Sequence, residues 1–287
     1  MRKFKEFIIE KLVLLCGFAS IIFVGLIFLF LLREGLALFK TAGPFNFLFG
    51  KNWYPISEPA QLGILPLILG SLLVTVGAAV ISIPIGVGCA IYIAEIAPIK
   101  IKEMLKAGIE LLAAIPSVVL GFIGMVTLVP LVKNIFHLPT GLTALSGSIM
   151  LAFMAMPTIV SVAEDALYSV PKNYKEGAFA LGATHWQTIW RVELPAASSG
   201  ILAAIMLGIG RVIGETMAVM MITGNAAVIP HSILAPVRTL TATIAAEMGE
   251  AVVGSEHYFA LFAIGIALFV ISFAINVTAD LFLHRDE

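Results

Sequence analysis

Residues 12–32 carry no charged side chain, and residues 62–94 form a still longer uncharged run broken only by Pro66 and Pro84. About 20 consecutive apolar residues are enough for a helix to cross a bilayer. Comparable runs recur at 111–132, 142–163, 199–222 and 258–281. Only the fifth is interrupted by charge, at Arg211 and Glu215, and Asp280 stands at the end of the sixth. Soluble domains carry about 25% charged residues. Here the figure is 12%, against 60% hydrophobic, which is too little charge to cover a soluble surface. The same balance excludes a disordered chain, and a net charge of −1 offers no basic field for nucleic acid. No ten-residue alternating segments of the kind that build a membrane β-barrel recur. The pattern predicts an all-α membrane protein with six transmembrane helices.

The first run is expected to remain as a helix. Its apolar stretch is too long for a cleaved leader, Glu6 and Glu10 precede it, and no small-residue cleavage site follows. Basic residues gather on the cytoplasmic side of membrane proteins. With both termini inside, Arg2, Lys3, Lys5, Lys11, Lys100, Lys102, Lys106, Lys172, Lys175, Arg191 and Arg285 are cytoplasmic. Arg33, Lys40, Lys51, Lys133 and Arg238 are then outside, so the bias favours both termini cytoplasmic. Aromatics at Phe45, Phe47, Phe49, Trp53 and Tyr54 suit either an interfacial belt or packing under a loop. The chain divides into an N-terminal helix with its outside loop, 1–61, and a core, 62–287. Cys16 and Cys89 lie within apolar runs and are expected to be buried thiols.

Several chemistries are missing. No phosphate-cradling G-x-x-x-x-G-K-[ST] is present, and no H-E-x-x-H. No G-x-S-x-G nucleophile elbow occurs either, and Ser117 has no histidine in a neighbouring span to act as its base. The five histidines are scattered, so no metal or cofactor site is expected in this chain.

The inside loop 165–195 is built like a structured element. Ser169 and Pro171 mark a helix start, 174–181 can form a short helix, and Gly182 ends it. Thr184 with Gln187 fits a capping box. Beyond it, Trp186, Ile189 and Trp190 share one helical face. Spacing alone leaves two readings open: insertion into a partner's groove, or packing on the protein's own membrane ends.

The order Glu176-Gly177-Ala178, Gly182, Val192-Glu193-Leu194-Pro195 resembles the EAA motif of the ABC importer permeases. The spacing is kept, with Gly177 for the first alanine and Val192 for the isoleucine. The resemblance implies the ABC type I importer permease fold and a loop that docks on a cytoplasmic ATPase. Glu176, Ala178, Gly182, Trp186, Leu194 and Pro195 would mark that coupling loop.

Arg211 and Glu215 are four residues apart, which on a continuous helix sets them on one face. Charges inside a span usually line a pathway or pair with each other. Arginine's planar donor fork matches phosphate or carboxylate oxygens, Glu215 can hold it in place, and Thr216 adds a donor. A structural ion pair is the competing reading. Arg211-Val-Ile-Gly-Glu-Thr-Met-Ala resembles the R-x-x-G-E-T-x-A segment of phosphate-specific permeases. The segments Ile115-Pro116-Ser117-Val118-Val119 and Thr239-Leu-Thr-Ala-Thr-Ile-Ala fit the same group. Trp53-Tyr54-Pro55 and Gly63-x-Leu65-Pro66 resemble its PstC branch more than the sister PstA branch.

That resemblance implies a membrane subunit of a prokaryotic phosphate importer, placed in the plasma membrane, with no covalent chemistry of its own. Its implied partners are a PstA-like permease, a dimer of ATPase chains that use ATP and magnesium, an extracytoplasmic phosphate-binding protein, and membrane lipid. Alternatives are a permease for molybdate or sulfate, the sister PstA-type subunit, and an ion-coupled secondary transporter using Arg211 and Glu215 as a proton relay. The segment 223–257 is left unplaced, with 239–246 expected as a re-entrant or outer helix.

Overall fold

A computed structural model describes residues 2–283. His284 and Arg285 fall outside them, as do the side chains of Arg2, Lys3, Lys5, Glu6 and Asp280. The elements run α1 (Arg2–Ala37), α2 (Pro44–Phe49), β1 (Trp53–Tyr54), β2 (Gln61–Leu62), α3 (Leu65–Ile91) and α4 (Ile99–Ala114). They continue with α5 (Ser117–Ile135), α6 (Ala144–Tyr168), α7 (Lys172–Ala180), α8 (His185–Thr188), α9 (Leu194–Ala196), α10 (Ser198–Gly214), α11 (Met217–Ile222), α12 (Leu240–Glu247) and α13 (Glu256–Leu283).

Among the described residues five helices are long and apolar enough to cross a membrane, in α1, α3, α5, α6 and α13. A sixth is reached when the bent pair His185–Ala196 and Ser198–Gly214, at 70°, is taken as one span. Two expected spans are broken. The run 111–132 is split because Ile115 and Pro116 are extended, so α4 ends at Ala114 and α5 begins at Ser117. Proline disfavours the helical conformation in the residue before it, which accounts for the break. The run 199–222 is split at Glu215, as described below.

α6 is the centre of the bundle. Its buried residues outnumber those of every other described helix, and α3, α5, α10 and α11 pack around it. Ile159 of α6 is fully buried between two glycines, Gly86 of α3 and Gly208 of α10. A Cβ on Gly86 would come within 2.8 Å of the Ile159 side chain, and one on Gly208 would meet it closer still. Small residues of this kind let helices approach in lipid, where dispersion replaces the hydrophobic effect as the packing force.

α1 stands apart from this core and lies along α13, with Phe28 4.6 Å from Phe269 and Phe30 edge-on to Phe262 at 5.4 Å. Most of its other described side chains are apolar and exposed. Cys16 and Cys89 are also exposed, contrary to the sequence expectation. An apolar position in a membrane protein can face outward, because its solvent there is lipid. At one end of α3 the antiparallel ribbon β1–β2 packs Trp53 and Leu62 against α12 and α13. At its other end α3 meets the loop 165–195, where Val170, with Ala197 just beyond the loop, joins the ends of α6 and α10.

Candidate substrate path and coupling loop

α10 stops at Gly214 because Glu215 turns extended, with φ −69° and ψ 132°. The Glu215 carboxylate then accepts a hydrogen bond from the Ala218 N–H at 3.3 Å and caps α11. A carboxylate suits that end, where the free N–H groups of the helix point. Thr216 donates from Oγ1 to the Gly214 carbonyl at 3.2 Å. Arg211 and Glu215 therefore do not share a helical face, because no helix continues between them. Among the described residues no ion pair joins Arg211 to a carboxylate, and its side chain is exposed in the last turn of α10.

The helix expected in 239–246 is α12, and its start meets this break. Thr241 Oγ1 donates to the Glu215 carbonyl at 2.9 Å, and the Leu240 N–H donates to Ser71 Oγ of α3 at 2.9 Å. Thr239 caps α12 by accepting from the Ala242 N–H at 3.2 Å. At the other end of α12, Glu247 accepts from Trp53 Nε1 at 3.1 Å and pairs with His257 Nε2 at 2.9 Å and with Arg238. Arg238 also donates from Nε to the Asn225 carbonyl at 3.1 Å. Trp53, Arg238, Glu247 and His257 line a cavity of about 800 Å³ beside Tyr54, Ser57, Glu250 and Ser255. The Glu247 cluster was not legible in the sequence, since its members come from four separate segments.

The loop 165–195 folds much as its signals predict. α7 begins after Pro171, and Gly182 has φ +82°, a left-handed turn that glycine adopts without penalty. Thr184 and Gln187 form the capping box reciprocally. The three residues expected on one face separate: Ile189 is buried, while Trp186 and Trp190 are 57% and 52% exposed and meet edge to face at 5.8 Å. The reason is a π-helical turn at Ile189–Glu193, which changes the angular step after α8. Leu181 is 92% exposed beside them. Glu176 and Pro195 are also exposed, Ala178 is buried and Leu194 half-buried.

A second feature of this loop had no sequence signal. Lys175 reaches Glu95 at 2.5 Å and Glu193 at 3.1 Å. Burial alone would lower the Lys175 pKa, but hydrogen bonds to the two carboxylates raise it above its usual value. Glu193 is fully buried, and burial, reinforced by Glu95 nearby, raises its carboxyl above the ordinary range despite Lys175. Nearby, Glu164 of α6 is buried and paired with Lys106 of α4 at 3.0 Å.

A bundle of bent and broken membrane helices with an exposed aromatic knob at one end defines a transport permease. Residues 82–285 match the family described as "Binding-protein-dependent transport system inner membrane component", and the chain belongs to it. It is 42% identical over 266 residues to a probable ABC transporter permease, YqgH, of Bacillus subtilis, covering 92% of this chain and 86% of that protein. It is 36% identical over 260 residues to the phosphate transport system permease protein PstC of Mesorhizobium japonicum, covering 84% and 79%. Among solved structures, an alginate ABC transporter in complex with its periplasmic protein superposes with TM-score 0.66 at 18% identity, covering 95% and 94%. The MetNI methionine transporter, inward facing, gives TM-score 0.62 at 19% identity, covering 79% and 98%. The fold is that of the ABC type I importer permeases. The chain is a multi-pass inner-membrane subunit of an ABC importer, a transporter component and not an enzyme.

Proposed function

We propose that this chain is the PstC-type subunit of a phosphate importer, both termini cytoplasmic, paired with a PstA-like permease. The observation that carries this reading is its 36% identity to a phosphate transport permease over most of both chains. Two cytoplasmic ATPase chains would use ATP and magnesium, and an extracytoplasmic phosphate-binding protein would deliver the anion. The bundle then alternates between outward- and inward-facing states, and nucleotide bound elsewhere shifts their populations.

Arg211 supplies fixed positive charge on the path. Its exposure within this subunit, and the use of Glu215 as a helix cap, leave the guanidinium available to an oxyanion. Broken membrane helices commonly flank substrate sites near the midplane. Thr216 lines the same break. On the cytoplasmic side Tyr174, Phe179, Leu181, Trp186 and Trp190 are exposed, an aromatic knob suited to a groove on the ATPase.

The test is uptake of radiolabelled phosphate by vesicles holding the complete importer. Uptake that requires ATP and resists excess molybdate and sulfate is expected. Uptake blocked equally by either competitor, or driven by a pH gradient without ATP, would overturn the reading.

A further inference from the structure

Besides its apolar packing on the helix ends, the coupling loop is tied to the membrane helices by one buried charge cluster. Lys175 of α7 lies between two carboxylates on separate elements. Glu95 sits in the π-helical turn Tyr92–Ile96 that ends α3, and Glu193 in the π-helical turn Ile189–Glu193 that leads towards α10. A second strut lands on the same turn, where His185 Nε2 lies 3.2 Å from the Glu95 main-chain oxygen. π-Helical turns widen the helix by i→i+5 bonding and occur frequently at functional sites. Two of them, facing each other across one ammonium group, mark a built junction.

From this geometry we propose that Glu95, Lys175 and Glu193 form a brace that makes the coupling loop move as one body with the ends of α3 and α10. The proposal rests on the docking role given to the loop above, and Lys175 is its central positioning residue. Glu193 is fully buried and the Glu95 side chain nearly so, whereas Lys175 is a quarter exposed. The brace is therefore not part of the docking surface, which is made by the exposed aromatic residues. Its charges are desolvated, so removing one partner leaves an uncompensated buried charge. A push received at the aromatic knob passes through α7 to Lys175 and from there to both helices together. Without the brace the knob can rock on Gly182 and the ATPase stroke is lost within the loop.

The experiment uses the complete importer in vesicles, isolated as assembled complexes, and reads phosphate imported per ATP hydrolysed. Lys175→Met is expected to lower that ratio on the order of tenfold or more, the scale on which a misplaced group costs function. Lys175→Arg, which keeps the charge, should recover most of it. The triple variant Glu95→Gln, Lys175→Gln, Glu193→Gln removes every charge and with it any stranded carboxylate. It serves as the second measurement if Lys175→Met does not assemble, and it too should transport poorly per ATP. A wild-type ratio in either assembled variant overturns the brace. Failure of the docking reading is separate: it would appear as unchanged ATPase retention when Trp186 and Leu181 are both replaced by alanine.

Discussion

The Thr241 hydroxyl donates to the main-chain carbonyl of Glu215 at 2.9 Å, so the short helix α12 is pinned to the break between α10 and α11. α12 is held at its other end by Glu247, which Trp53, Arg238 and His257 all engage. It therefore spans from the cavity beside the β1–β2 ribbon to the site of the broken helix. Thr241→Val should remove the hydrogen bond and cost about 1 kcal/mol of stability. Phosphate uptake should fall more than stability does, and Thr241→Ser should restore both. Uptake rates beside thermal unfolding in detergent make the comparison, and unchanged uptake in the valine variant counts against the pin.

Arg211→Ala should abolish uptake while leaving the complex assembled. Its side chain is exposed and no ion pair joins it to a carboxylate among the described residues. Exposed substitutions of this kind typically change stability by no more than about 0.5 kcal/mol. Loss of assembly, read by size-exclusion chromatography, would instead assign Arg211 a structural role.

Trp186→Ala should weaken retention of the ATPase chains. Large aromatic residues dominate interface energetics, and truncating one commonly costs more than about 1 kcal/mol. Because Trp186 is more than half exposed in the free subunit, its loss should leave the thermal stability of the permease alone unchanged. Pull-down of the ATPase at matched concentrations measures the difference.

Gly208→Ala should destabilise the bundle by about 1–3 kcal/mol, because the new methyl overlaps the Ile159 side chain. Pairing it with Ile159→Val should recover part of that cost. Additivity of the two changes in a double-mutant thermal denaturation series would argue against direct contact.

The brace has a pH signature of known sign. The folded-state pKa of Lys175 is raised above 10.5, so its contribution is complete below that pH and is lost as pH rises through the raised value. Glu193 is raised above 4.5, so its contribution is complete below 4.5 and declines as pH rises through its folded value. Stability in detergent should fall as pH rises from 4.5 through the raised folded-state value, and Glu193→Gln should flatten the slope. An unchanged slope in the variant would place the titration elsewhere.

Apolar length located the five long membrane helices because lipid imposes it residue by residue, while the run 199–222 captured only α10 and α11 and missed the bend before Ser198. Capping chemistry located α7 and α8 because it is local. What failed was continuity. The spacing of Arg211 and Glu215 implies a shared face only if the helix runs on, and Gly-Glu-Thr does not announce an extended residue. The spacing of Trp186, Ile189 and Trp190 misled for the same reason, through a π-helical turn. The Lys175 and Glu247 clusters each bring in a residue far away in the chain, Glu95 and Trp53, and no local pattern records such meetings. Cys16 and Cys89 show that apolar surroundings in a sequence accompany exposed positions in a membrane helix as readily as buried ones.

α1 rests on α13, through Phe28 on Phe269 and Phe30 on Phe262. Its helical partner is therefore synthesised only after the ribosome has traversed the chain between those contacts. During biosynthesis α1 must wait in the bilayer without that partner until α13 has been made. The subunit is thus closed by a late docking of α1 on a span made after it, and a nascent chain arrested before residue 256 should leave α1 open to capture by lipid-phase quality control.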